Sequence, residues 1–260
     1  VTTPDSHPAA PPSCDECNGT GWLAVSDEPS APVRRCDCYA HADAQRRLDG
    51  ALIPPRYQIA SLGNFDILPN MDGSLDEAKL IAEKFVGSFP DVDNGLLFEG
   101  PAGVGKTHLA VAILRDLVSH FEITGRFVDY RDLLRSIQDS YNPVSEASEL
   151  EILRPVLRAD VLLLDELGTR RPTAWVRDTV TQILNDRYRR QKLTLITTNY
   201  GDEGAGGGEP TLEDRIGPYA RSRLYEMCRN VPMRGDDFRK TLRSASDRPI
   251  AAFADRAHAS

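Results

Sequence analysis

Two cysteine pairs, Cys14 with Cys17 and Cys36 with Cys38, stand near the start of a 260-residue chain. Four thiolates arranged in two pairs can close a tetrahedral structural zinc site. In CDECNGTGW (14–22), Gly19 and Gly21 allow the backbone a tight turn after the first pair. The second pair has a single intervening residue, fewer than is usual for such a site. Redox use is the main rival for a Cys-x-x-Cys, but no thioredoxin-like βαβ pattern surrounds this one. Zinc on Cys14, Cys17, Cys36 and Cys38 is therefore the expectation. Cys228 stands apart on an apolar helix face and is expected to be simply buried.

A second chemistry-bearing stretch is GPAGVGKTH, formed by Gly100, Pro101, Ala102, Gly103, Val104, Gly105, Lys106, Thr107 and His108. It fits G-x-x-x-x-G-K-[ST] and lies between a strand pattern and a helix pattern. Glycines let backbone N–H groups turn inward around phosphate oxygens with no side chain in the way. Lys106 can reach the β- and γ-phosphates, the Thr107 hydroxyl can ligate Mg²⁺, and the following helix adds its positive end. Further on, VLLLDELG ends an apolar strand in two acids. Asp165 is placed to hold Mg²⁺ through water, and Glu166 to polarise an attacking water. Small-molecule kinases usually lack that adjacent Glu.

Asn199 closes the strand LTLITTN, where it would stand beside Glu166 if the two strands are neighbours, or would serve as a cap. Arg221 and Arg223 lie in a helical stretch, IGPYARSRLYEMC. They would form surface ion pairs or point into a neighbouring subunit's nucleotide site. Arg239 follows in GDDFR.

These groups need a scaffold, and the hydrophobic pattern supplies one. Residues 75–89, 108–121, 131–141 and 173–190 carry apolar side chains at helical spacing. Residues 95–99, 126–130, 161–166 and 193–199 read as strands that are apolar throughout. Such alternation predicts an α/β fold with a parallel sheet covered on both faces. The strand at 126–130 separates the two nucleotide motifs, which points to one branch of the P-loop ATPases. The residues 1–13 read as a disordered lead, 14–50 as a small zinc-binding module, 51–240 as the ATPase domain and 241–260 as a polar tail. IPPRYQIASLGNF (53–65) reads as an extended linker from its paired prolines, and 201–210 as a flexible glycine loop.

The net charge of −8 argues against wholesale coating of nucleic acid, although 31 Lys and Arg leave room for a local basic groove. No apolar run is long enough for a membrane helix, and the start of the chain has no signal-peptide pattern. A cytoplasmic location is expected, with no membrane partner.

In order, GPAGVGKTHLA, VLLLDELG, TTN, SRLYE and GDDFR resemble the AAA+ ATPases of the DnaC/DnaI helicase-loader group and the related IstB-like ATPases. IPPRY, ahead of the core, resembles the same group, and the likeness covers roughly residues 50–240. It implies a P-loop AAA+ core of five parallel strands with a short helical lid, and the use of ATP with Mg²⁺. It also implies a homo-oligomer in which one subunit's arginine completes the next subunit's site. By position, Asn199 corresponds to the sensor-1 residue, Arg223 to the arginine finger with Arg221 as rival, and Arg239 to sensor 2. Loader-type members bind single-stranded DNA, for which Arg131 and Arg135 are the candidates here, their alternative being a solvated helix face. The implied partner is a DnaB-type replicative helicase. An IstB-like ATPase assisting a transposase is the alternative, as is an ATP-binding switch with little turnover. The Cys-x-x-Cys-x-Gly-x-Gly pattern also resembles the DnaJ cysteine-rich repeat, but a single copy without a J-domain does not make that chaperone.

Overall fold

The structure is a computed structural model; it describes residues 14–239 except 27, 29–30, 69–70, 146 and 204–207. The lead and the tail lie outside the described residues, as does part of the glycine loop.

A two-stranded antiparallel hairpin, β1 (Trp22–Ala24) with β2 (Val33–Arg35), opens the described chain. Helix α1 (Asp37–Gly50) follows, then a 3-10 turn at Pro55–Tyr57 and α2 (Ser74–Gly87). From β3 (Gly95–Glu99) onward strands and helices alternate: α3 (Lys106–His120), β4 (Gly125–Asp129), α4 (Tyr130–Ser140), α5 (Glu149–Arg158), β5 (Val161–Leu167), α6 (Ala174–Arg189) and β6 (Leu193–Thr198). Two short helices, α7 (Leu212–Ile216) and α8 (Pro218–Met227), lead into β7 (Cys228–Pro232).

The sheet is five-stranded and parallel, in the order β4-β5-β6-β3-β7. Successive strand residues point to opposite faces, which splits the core in two. Leu96, Phe98, Leu163 and Leu195 join α2 and α3 on one side. Leu97, Leu162, Leu164 and Ile196 join α4, α5, α6 and α8 on the other. Because both faces are covered, the central strands carry apolar residues at every position, the feature that marked them in the sequence.

Three differences from the sequence pattern have physical causes. Residues 53–65 are not an extended linker: the prolines nucleate a 3-10 turn, and Ile53, Ala60 and Phe65 are buried in the core. Helix α5 is absent from the sequence pattern because it is short and contains Pro155, yet Ile152, Leu153, Val156 and Leu157 pack along one face and Ser148 and Glu151 form a complete capping box at its start. Cys228 is buried as expected, but on the first residue of edge strand β7 rather than on a helix face. No helix among the described residues is long and apolar enough to cross a membrane.

Candidate nucleotide site and metal centre

The turn from β3 into α3 runs along the carboxyl end of the sheet, where β3 lies between β6 and β7. Open α/β sheets bind ligands at such ends. Gly100 adopts φ 149° and a Cβ there would meet the Met233 carbonyl at 1.9 Å. Gly105 adopts φ 100° with Phe65 packed against it. Both positions exclude any side chain. The Lys106 ammonium donates to the Gly100 and Pro101 carbonyls at 2.8 and 2.6 Å, so it lies within the loop. Burial pulls its pKa down to about 8 against the opposing pull of Asp165 and Glu166, while Arg239 adds to the depression.

Strand β5 brings Asp165 beneath the loop, 3% exposed. Its Oδ1 accepts from the Thr107 hydroxyl at 2.9 Å and from the Thr197 hydroxyl at 2.6 Å. Burial raises the Asp165 carboxyl above the ordinary range, and these two donors work against that rise. Thr107 and Asp165 thus present adjacent oxygens of the hard type Mg²⁺ takes.

Glu166 follows in the left-handed region at φ 58°, where the β5–β6 register slips between Leu164 and Leu167. Such backbone costs a non-glycine residue on the order of 1–3 kcal/mol, and here hydrogen bonds hold it. The Glu166 N–H donates to Thr197 Oγ1, and its carbonyl accepts from the Thr169 hydroxyl. The Glu166 carboxylate comes within 3.9 Å of the Arg131 guanidinium.

One cavity of about 280 Å³ gathers Ala102 to His108, Glu166, Asn199 and Arg239. Strands β5 and β6 are neighbours, so Asn199 and Glu166 stand at adjacent strand ends. The Phe238 N–H donates to the Gly103 carbonyl, which docks the GDDFR segment on the loop and sets Arg239 in the cavity wall. His108 Nε2 bonds the Ser61 carbonyl and Asn64 Oδ1.

Arg221 and Arg223 are not in this cavity. Arg221 is buried against Asp202, and Arg223 lies across the seam between α6 and α8. Arg135 pairs with Asp132 on the exposed side of α4.

Sequence reasoning missed three contributors. Thr197 looked like an ordinary strand residue; its signal was the TT before Asn199. The segment carrying Tyr57, Phe65 and Met71 forms the apolar wall of the cavity, hidden by the linker reading. Asp202 lies in a glycine-rich loop, and its partner is 19 residues away.

The four cysteines form a separate centre. Their sulfur atoms all lie within 4.8 Å of one another. Cys14 and Cys36 Sγ are 3.7 Å apart, Cys17 and Cys38 Sγ 3.5 Å. A tetrahedron with metal–sulfur bonds of ~2.3 Å has edges of ~3.8 Å, so the spacing suits one zinc ion. Cys36 caps α1 and Cys38 sits in its first turn, so the compact second pair is held by helix geometry. The Gly21 N–H also donates to Cys17 Sγ at 3.3 Å.

Sheet order, phosphate loop and paired acids define a P-loop nucleotide-binding protein of the α/β class. The IstB-like ATP-binding protein family matches residues 45–246, and the chain belongs to that family. It is 26% identical over 159 residues to the replicative helicase loader DnaC of Escherichia coli strain K12, covering 60% of this chain and 61% of that one. The alignment therefore spans less than two thirds of that relative. Among solved structures, the DnaC helicase loader superposes with a TM-score of 0.59 at 32% identity, covering 70% of this chain and all of that one. DnaI superposes with a TM-score of 0.57 at 27% identity, over 70% of this chain and 95% of that one. The chain is thus homologous to the DnaC and DnaI helicase loaders, and is an AAA+ ATP-binding protein.

Proposed function

We propose that this chain hydrolyses ATP to load a DnaB-type replicative helicase onto single-stranded DNA. The observation that carries the reading is the convergence of Lys106, the Thr107–Asp165–Thr197 cluster and Glu166 at one phosphate loop, in a chain similar to DnaC. In this account the backbone of Gly100–Gly105 and the Lys106 ammonium bind the β- and γ-phosphates. Thr107 and Asp165 hold Mg²⁺, which when bound neutralises phosphate charge. Glu166 takes the proton from the water that attacks the γ-phosphorus, and the bond to the ADP oxygen breaks. Asn199 orients that water, and Arg239 steadies the γ-phosphate.

Arg223 of a neighbouring subunit supplies the last positive charge, an effect worth about 10³–10⁵ in rate in GTPases. Residues 14–50, closed by zinc on the four cysteines, form the module that recognises the helicase. Residues 51–240 form the motor, with Arg131 and Arg135 toward DNA.

The test is steady-state ATP turnover with and without single-stranded DNA. Wild-type protein should turn over and respond to DNA, Lys106→Ala should lose nucleotide binding, and Glu166→Gln should bind ATP without hydrolysing it. Equal turnover in wild type and Glu166→Gln would remove the hydrolytic reading and leave an ATP-binding switch. The family match also supports a second reading, an ATPase that assists a transposase; the partner recovered from cells separates the two.

A further inference from the structure

We propose that Asp202 and the buried Arg221 form a latch that orients α8, so that Arg223 is presented to the neighbouring subunit's nucleotide. The inference rests on the trans-arginine reading above and assigns Arg221 a different task from Arg223: it is a positioning residue.

Arg221 is 2% exposed, an unusual place for a guanidinium. Its Nε and Nη2 donate to the two Asp202 oxygens at 2.6 Å each, a bidentate pairing that fixes direction as well as distance. One turn along α8, the Tyr225 hydroxyl donates to Asp202 Oδ2 at 2.7 Å, and its ring lies 3.8 Å from the Arg221 guanidinium. Asp202 is thus held from two successive turns of one helix. Glu99, the last residue of the strand that feeds the phosphate loop, is close enough for its charge to act on both members of the pair.

Asp202 lies three residues beyond Asn199, which faces the nucleotide cavity. The short segment 199–202 therefore has one end at the nucleotide and the other on α8. Residues two apart on a helix do not share a face, so an inward Arg221 turns Arg223 toward the α6 seam. There Arg223 Nε donates to Asn185 Oδ1 at 3.2 Å and Nη1 to Glu226 Oε2 at 2.9 Å, with the guanidinium 4.1 Å from the Tyr188 ring centre. Separating the pair would leave the buried Arg221 guanidinium without its carboxylate, so α8 moves with the 199–202 segment as one body. A change at the cavity in one subunit then reaches the arginine offered to the next.

Mixed-subunit turnover tests this. Asp202→Asn keeps the side chain's shape and removes its charge. Alone it should lower turnover about 10²-fold, the scale of a misplaced catalytic group, with ATP binding close to wild type in protein that melts at a lower temperature but is folded in the assay. Mixed with Lys106→Ala, which cannot use ATP but carries an intact latch and Arg223, it should regain turnover. Arg223→Ala mixed with Lys106→Ala is the control and should recover in the same way. If the control recovers while the Asp202→Asn mixture stays inactive, Asp202 acts only on its own subunit's site and the latch is wrong. Wild-type turnover by Asp202→Asn alone would also overturn it. If the control itself fails, the trans-arginine reading falls, and the latch with it. Should Asp202→Asn not fold, Tyr225→Phe removes one bond to Asp202 and should lower turnover several-fold, rescued by the same mixture; unchanged or unrescued turnover would overturn the proposal.

Discussion

Thr107 and Asp165, 58 residues apart in the chain, meet through a 2.9 Å hydrogen bond beneath the phosphate loop. That contact joins the helix after β3 to the end of β5, two strands away in the sheet. Between them, β6 contributes Thr197, whose hydroxyl both donates to Asp165 and accepts from the Glu166 N–H. One threonine therefore positions both acids.

Thr197→Val keeps the shape and removes that hydroxyl. Asp165 loses a donor and the Glu166 N–H loses its acceptor inside the core. Stability should fall by about 2 kcal/mol, the scale of a lost hydrogen bond to a charged group, measured by denaturant unfolding. Half-saturation of turnover should also require more Mg²⁺. Unchanged stability and Mg²⁺ dependence would show that the acids are held by other means.

The cysteine centre makes a separate prediction. Protein purified without chelator should contain one zinc per chain, and Cys36→Ser should lose it. Without the metal, so small a segment has too little core to hold its fold. Hydrogen exchange in residues 14–38 should become fast, while residues 95–199 keep their protection and ATP still binds. Metal-free protein with slow exchange in 14–38 would count against zinc.

How legible this was in the sequence depends on what each element relies on. The phosphate loop and Asp165–Glu166 use contiguous residues whose chemistry demands their spacing, so they stood out. Strands β3 to β6 are buried on both faces and read as apolar runs. Strand β7 (CRNVP) pairs on one side only, buries just Cys228 and Val231, and gave no such run. The wall formed by Tyr57, Phe65 and Met71 comes from a 3-10 turn and irregular chain, which have no period to detect. Asp202 and Arg221 find each other only through the fold.

Arg187 is fully buried, and no hydrogen bond or ion pair ties it to a carboxylate among the described residues. It donates to the Val156, Ala159 and Leu193 carbonyls and to Thr194 Oγ1, tying the end of α5 to the start of β6. Arg187→Met leaves those acceptors unpaired and should cost about 3 kcal/mol. Nucleotide affinity, measured at a temperature where the variant is folded, should not change. A loss of affinity there would place Arg187 in the nucleotide machinery.

The latch predicts an acid response. The hydrogen bonds from Arg221 hold the Asp202 carboxyl below its ordinary value. A carboxyl depressed in the folded state contributes stability that is full above its unfolded pKa of ~3.9 and is lost as pH falls through the lower folded value. Asp202→Asn should therefore flatten the stability profile below about pH 4, read from melting temperature against pH. A profile parallel to wild type would argue that the pair is not formed in solution.

The central claim, that this chain is an ATPase acting on a replicative helicase, is tested most directly by what it holds in its native cell. Glu166→Gln protein captured in the presence of ATP should bring down a DnaB-type helicase, and Cys36→Ser in the same background should lose it. Capture of a transposase with no helicase would contradict the account.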